Sequence, residues 1–329
     1  GPSILEVGGG IGTLSAATAT EVNRLAVASG IPFVSVNQVS AITEAPHMGL
    51  YTFHEGFTPY ISAQLVGKWG LEHLGKRWFC LVPDYQWGHE SYFAYQEVLK
   101  KFGGKDLGVI KFPLGAKLED FLKHFSVIRE AKPDVLCVTS FGSDQINFIK
   151  AAHQAELKKD TSIVLGISDI PIADAVSLDE MVGIYWGTNF YWGLEDSIPS
   201  AKKFVSAFRE KFGGDMPSGY AGYAYSATME FLLGTRASGR YPLDYDVMAG
   251  FLEGRSYDHY KGSQWWRPCD HQSFQNLYML RFKGPEESKH KYDIGEILST
   301  VEWGLDIERD CVTLGHADFL EGHIKKTQN

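Results

Sequence analysis

The chain has 329 residues, 44% hydrophobic and 22% charged, with a net charge of −9. That length exceeds what one core usually supports, so two lobes are expected, and the acidic balance argues against nucleic acid as a partner. No run of about 18 apolar residues is present, so no membrane insertion is expected, and no Cys/His spacing suggests a metal.

No signal peptide is visible, and the chain opens at Gly1-Pro2-Ser3 directly on a strand over 4–7, as expected of a mature or trimmed form. A helix rich in Ala and Thr is predicted over 13–29, a strand over 31–36 and a loop over 37–48. An amphipathic helix over 58–74 closes at Gly75 and leads into a strand over 78–82. Then come a helix over 90–102, a strand over 109–112 and a helix over 118–131. A strand over 135–138 precedes a helix over 145–155, and further strands are predicted at 163–165 and 182–189. Helices over 200–212, 220–237 and 244–252 follow, and 273–282 reads as a strand.

Short continuous apolar runs alternating with helices imply a parallel sheet covered on both faces. In such sheets ligands sit outside the carboxyl ends of the strands, so the residues just after each strand are where function is read. Here those residues are Asp84-Tyr85-Gln86-Trp87-Gly88, Thr139-Ser140-Phe141-Gly142 and Gly166-Ile167-Ser168-Asp169. They offer aromatic and hydroxyl groups, with little obvious catalytic machinery.

Ile4-Leu5-Glu6-Val7-Gly8-Gly9-Gly10-Ile11-Gly12-Thr13 loosely satisfies a glycine-rich nucleotide-binding pattern. A Rossmann-like methyltransferase or dehydrogenase would need an acidic residue ending the next strand, and Val34-Ser35-Val36-Asn37 has none. The alternatives are a tight turn without ligand and a ligand-contacting helix N-terminus. Cys80 and Cys137 lie in apolar strand runs and read as buried small hydrophobes. Cys269 and Cys311 lie in polar segments, and a disulfide between them would suit an oxidising compartment. His89 reads as a helix-start or surface residue, Tyr220 and Tyr223 as helix packing, and the run 286–291 as a solvated loop.

The order of segments resembles the type I periplasmic binding proteins, in the branched-chain amino-acid and amide branch that serves ABC importers. The resemblance rests on the glycine-rich turn, Ser29-Gly30-Ile31-Pro32-Phe33, Tyr51-Thr52-Phe53-His54, and Lys76-Arg77-Trp78-Phe79 through Asp84-Tyr85-Gln86-Trp87-Gly88-His89. Phe102-Gly103-Gly104, Phe112-Pro113-Leu114-Gly115, Pro133-Asp134-Val135, Gly142-Ser143-Asp144, Met216-Pro217 and Tyr220-Ala221-Gly222-Tyr223 follow in family order. Family members open with two further strand-helix units, which this chain does not contain.

The resemblance implies an α/β fold of two lobes, each a parallel sheet flanked by helices, with a ligand cleft between them. The first lobe is expected at 1–75 and about 198–264, the second at 76–197 and about 265–329, with a C-terminal crossing segment. It implies a binding set of Gly12, Thr13, Gln38 and Ser40 from the first lobe and Trp87, Phe141, and Ser168 or Asp169 from the second. Tyr191 and Trp192 would close the pocket or pack between lobes. The expected function is capture of a small carboxylate, amide or amino-acid-like ligand by hinge closure, for an ABC transporter permease. It needs no cofactor or catalytic residue, in the periplasm or outside the cell. A ligand-sensing domain of a receptor or regulator is the alternative on the same fold.

Overall fold

The computed structural model describes residues 9–38, 41–43 and 47–303. In chain order the elements begin with β1 (Gly10–Gly12), α1 (Ala16–Ser29), β2 (Phe33–Ser35), β3 (Thr52–His54) and α2 (Pro59–His73). Next are β4 (Arg77–Pro83), α3 (Gln86–Lys101), β5 (Lys105–Phe112), α4 (Leu118–Leu122), α5 (Phe125–Ala131) and β6 (Val135–Val138). Then follow α6 (Gly142–Gln154), β7 (Ser162–Leu165), α7 (Leu178–Met181) and β8 (Tyr185–Thr188). The last part holds α8 (Pro199–Lys211), α9 (Gly219–Ser238), α10 (Tyr245–Leu252), β9 (Ser256–Tyr257), β10 (Gln264–Trp266), β11 (Ser273–Phe274), β12 (Leu277–Phe282) and β13 (Gly295–Val301).

The chain divides into two compact units. Among the described residues, one comprises 9–58 and Leu194–Gln275; the other comprises Pro59–Gly193 and Asn276–Trp303. The first boundary therefore falls at Thr58/Pro59 and not at 75/76, and the later ones at Gly193/Leu194 and Gln275/Asn276. The helix α2 explains the shift. It is buried along most of its length. Gly67 and Gly70 let it approach α3 and β4 so closely that an added Cβ would stand 2.5 Å from Val98 and 2.5 Å from the Trp78 ring. Its Trp69 indole donates to Ser299 of β13 at 2.9 Å. These contacts commit the helix to the second unit.

That unit is built on one seven-stranded sheet in the order β13-β12-β8-β7-β6-β4-β5. The five strands β5, β4, β6, β7 and β8 run parallel. β12 and β13 join antiparallel at the β8 edge, so the sheet is mixed rather than wholly parallel. Its middle strands are the continuous apolar runs of the sequence, with Trp78, Leu81, Val135, Leu136, Val164 and Leu165 fully buried. Cys80 and Cys137 stand opposite one another on β4 and β6 as buried free thiols. The predicted helix over 118–131 is two short helices, and the predicted strand over 273–282 divides between β11 in one unit and β12 in the other.

The first unit holds a three-stranded parallel sheet, β1-β2-β3, and a small antiparallel sheet, β11-β10-β9. His54 of β3 bridges to Gln272 beside β11. The first expected strand, 4–7, lies outside the described residues.

One position tests how tightly strand and helix meet in the second unit. A Cβ on buried Gly88, in the first turn of α3, would stand 1.9 Å from the Pro83 carbonyl oxygen. Gly88→Ala should therefore lower stability by at least about 2 kcal/mol in denaturant unfolding, because backbone rather than a flexible side chain must move.

Candidate functional site

Parallel strands joined by crossover helices all end at one edge of the sheet, and the second unit's candidate residues lie there. Tyr85 and Trp87 follow β4, Phe141 follows β6, and Ser168 and Asp169 follow β7, three strands adjacent in the sheet. Tyr85 precedes α3 in extended conformation, and its ring lies 6.2 Å from that of Trp87. Trp87 is half-buried, and Phe141 is 42% exposed at the start of α6.

Gln145, one turn into α6, organises this edge. Its Nε2 donates to the carbonyls of Ser140 and Ile167, both at 2.8 Å, and its Oε1 accepts from the Ser168 hydroxyl at 2.7 Å. One buried amide thus ties the strand ends of β6 and β7 together. Ser168 is fully buried and its hydroxyl is used in that bond. Asp169 caps the turn Ile170–Asp174, its Oδ1 accepting from Ile170 N at 2.8 Å. A hollow of about 230 Å³ opens between Phe141, Gly142, Gln145 and Ile146 on one side and Asp169, Pro171 and Ile172 on the other. Of the expected set it unites Phe141 and Asp169; Trp87 stands at the neighbouring strand end.

Asp144, read in sequence only as part of Gly142-Ser143-Asp144 and not as a site residue, is buried in the first turn of α6. Burial pushes its carboxyl up, against hydrogen bonds from the Ala116 and Gly115 backbone. Burial, and next the Asp144 charge, push the Tyr85 phenol up.

Tyr191 and Trp192 follow β8 but pack within their own unit. The Tyr191 hydroxyl donates to Tyr292 O at 3.1 Å and accepts from Ile294 N and Gly295 N, both at 3.2 Å. Trp192 Nε1 donates to the same Tyr292 carbonyl at 2.8 Å. The buried Tyr191 ring meets Trp186 edge-on at 6.0 Å. Both side chains clamp the segment before β13 to the sheet. His89 forms a surface pair with Asp84 at 2.8 Å.

In the first unit, Gly12 ends β1 and Thr13 follows it. The helix α1 begins only at Ala16, capped by Ser15, whose Oγ accepts from Thr18 N at 3.1 Å. Glycine at position 9 has a packing reason, since a Cβ there would stand 2.7 Å from the Phe231 ring. Gly10 and Gly12 lie in a strand and do not form a phosphate-cradling turn. Asn37, buried at the end of β2, donates to Ser15 O at 2.8 Å and Thr13 Oγ1 at 3.3 Å, holding the β1 and β2 ends together. Gln38 beside it is half-buried; Ser40 lies outside the described residues.

The sequence also concealed a buried polar cluster in this unit, gathered from segments some 200 residues apart. Glu55 accepts from Tyr257 Oη at 2.6 Å and Gln264 Nε2 at 2.8 Å, and Tyr257 also meets Ser273 Oγ at 2.6 Å. Nearby, burial opposes the charge on Glu230, but bonds from His259, Trp266 and Arg255 hold its carboxyl below the usual range. No signal short of the fold brings these residues together. Among the described residues no group of three or more His, Cys, Asp or Glu is placed to hold a metal ion, and no helix is long and apolar enough to cross a membrane. Cys269 is buried and disulfide-bonded, and its expected partner, Cys311, lies outside the described residues.

The fold has close counterparts. A Pseudomonas fluorescens amino acid ABC transporter substrate-binding protein superposes with a TM-score of 0.85 at 22% identity, over 94% of this chain and 80% of that one. A Rhodopseudomonas palustris ABC transporter solute-binding protein in complex with benzoate gives 0.78 at 19% identity, over 90% and 78%. In sequence the chain is 23% identical over 230 residues to Leu/Ile/Val-binding protein homolog 7 of Brucella abortus, 67% of this chain and 57% of that protein. It thus spans little more than half the length of that relative. The profile of the family described as periplasmic binding protein matches residues 6–290, most of the chain. With that match over this two-unit α/β architecture, the chain belongs to the periplasmic binding protein family.

Proposed function

We propose that this chain is an extracytoplasmic solute-binding protein that captures a small organic ligand for an ABC importer and releases it chemically unchanged. The ligand is a carboxylate, an amide or an amino-acid-like molecule with an aromatic or branched apolar body. The observation that carries this reading is the edge of the second unit, where an exposed aromatic, Phe141, and a single carboxylate, Asp169, flank one small hollow stiffened by Gln145. Aromatic walls bury much area at low entropic cost, and a few polar groups orient what they enclose. Trp87 at the next strand end extends this apolar wall, while Gly12, Thr13, Gln38 and Ser40 supply polar contacts from the first unit.

Binding follows by hinge closure about the chain crossings, each unit contributing part of the site. The closed form is what a permease would recognise. The burial of Tyr191 and Ser168, and the bond of half-buried Trp192 to the Tyr292 carbonyl, favour support of the site over contact with ligand.

The complexes and names of the similar proteins choose the first probes, benzoate and leucine. A probe present at about 100 times its Kd should stabilise the protein by roughly 2.7 kcal/mol. Trp87→Ala and Phe141→Ala should each weaken binding of the stabilising probe at least about tenfold in calorimetry while leaving the unfolding midpoint nearly unchanged. Unaltered affinity in both variants would remove the aromatic edge from the site.

Gln145→Ala should behave differently. It strands the Ser168 hydroxyl and two buried carbonyls, so it should cost about 1–3 kcal/mol of stability as well as affinity. Loss of affinity without loss of stability would make Gln145 a ligand contact instead. We further propose that Cys269 pairs with Cys311, as suits an oxidising compartment. Peptide mapping without reduction should recover the two cysteines linked, and alkylation of Cys311 in the untreated protein would contradict it.

A further inference from the structure

We propose that the buried cluster around Glu55 is a proton-controlled latch at the hinge, tight when the Glu55 carboxyl is protonated and loosened when it ionises. The inference rests on the reading of the chain as a hinge-closing binding protein. Its geometry lies wholly within the first unit.

Glu55 follows β3 and stands three residues before the chain leaves the unit at Thr58/Pro59; Gln275 is the last residue before it leaves again at Gln275/Asn276. The Gln275 side chain joins these two exits. Its Nε2 donates to the Glu55 carbonyl at 2.5 Å, and its Oε1 accepts from Lys261 Nζ at 2.7 Å. Lys261 Nζ also lies 5.1 Å from the ring centroid of Phe57, next to the first exit. The Glu55 carboxyl takes the Tyr257 and Gln264 donors, and through Ser273 reaches the strand that runs into the second exit. Glu55, Gln264 and Ser273 are fully buried, and Lys261 and Gln275 are 2% exposed. Two roots of the hinge are therefore fastened to each other at Glu55, directly through its carbonyl and indirectly through its carboxyl by way of Tyr257, Gln264 and Ser273.

A charge in such a place is costly, so the cluster's strength depends on protonation. The groups facing Glu55 are Tyr257 and Lys261 from the segment around β9 and β10, with uncharged Gln264, Ser273 and Gln275, Ser226 from α9, and Glu230 beyond Tyr257. Burial pushes the Glu55 carboxyl up to about 7, against the Tyr257 and Gln264 hydrogen bonds and the attraction of Lys261, whose own amine burial pushes well down. Because the folded value lies above the ordinary one near 4.5, the stabilisation is fully present below pH 4.5 and is lost as pH rises through about 7. His54, on the opposite face of the strand, works in the other sense. Burial lowers its imidazole, against bonds to Asn37 O and Gln272 Oε1 and the charge of Asp270, so its contribution is lost as pH falls through the ordinary histidine range.

Amide hydrogen exchange on the whole ligand-free chain tests the latch, with rates corrected for the intrinsic pH dependence. In the wild type, protection of amides 54–58 and 272–276 should fall by at least about tenfold between pH 6 and pH 8. Glu55→Gln, an uncharged isostere, should abolish that pH dependence, which separates it from His54. Lys261→Met, which removes both that attraction and a second buried amine whose titration burial pushes down, should leave a single transition at higher pH. The same profile in wild type and Glu55→Gln, or a change spread evenly over the first unit, would overturn the latch. Should Glu55→Gln not fold, carboxyl carbon-13 titration of the wild type decides: a midpoint near 7 supports the latch, and one near 4.5 overturns it. No ligand enters these measurements, so failure to bind benzoate or leucine would count against the binding reading and leave the latch to be judged on exchange alone.

Discussion

A parallel strand can reach its parallel neighbour only by a crossover, and the crossover returns the chain to the same starting edge. Every loop that follows a strand is then delivered to the opposite, carboxyl edge. In the second unit this rule places the ends of β4, β6 and β7 side by side, though their sequence positions span more than 80 residues. The candidate site depends on that single constraint. Trp87, Phe141 and Asp169 are neighbours along an edge because their strands are neighbours in the sheet, and Gln145 stiffens the edge by binding two strand ends at once.

The two units solve the problem of burying polar groups differently. The second has an apolar sheet core, with Gln145 binding two strand ends at its edge. The first has only a small parallel sheet and places a dense polar network between β3, α9 and the β9–β11 sheet. Such networks are stable only when nearly every donor finds an acceptor, and they rigidify what they join. Here they join the segments on which the chain leaves the unit. A hinge of the kind proposed needs stiff roots on either side of a pliable joint, and convergent hydrogen bonds at Glu55 and Gln275 would supply that stiffness with few residues.

Much of the second unit was legible because burial on both faces writes itself as uninterrupted apolar runs such as Val135-Leu136-Cys137-Val138. The residues after those runs gave the edge directly. The unit boundary was not legible, since α2 is apolar in sequence whichever unit it joins, and only Gly67 and Gly70 against Val98 and Trp78 decide the matter. Tyr191 and Trp192 follow a strand as Trp87 does. What separates them is the Tyr292 carbonyl, a hundred residues away. The glycine-rich opening carried a pattern whose glycines serve packing against Phe231 and strand formation. The Glu55 cluster reads in sequence as scattered polar residues, because its order exists only in the fold.

The central claim is that ligand engages the carboxyl edges of the parallel strands. Mapping exchange protection on addition of saturating ligand, benzoate or leucine according to which stabilises the protein, tests it most directly. The account predicts new protection centred on 84–88, 140–146 and 167–172 in the second unit and on 12–15 and 37–38 in the first. Protection confined to the β9–β11 sheet or to the outer helices, with these strand-end loops unchanged, would contradict it.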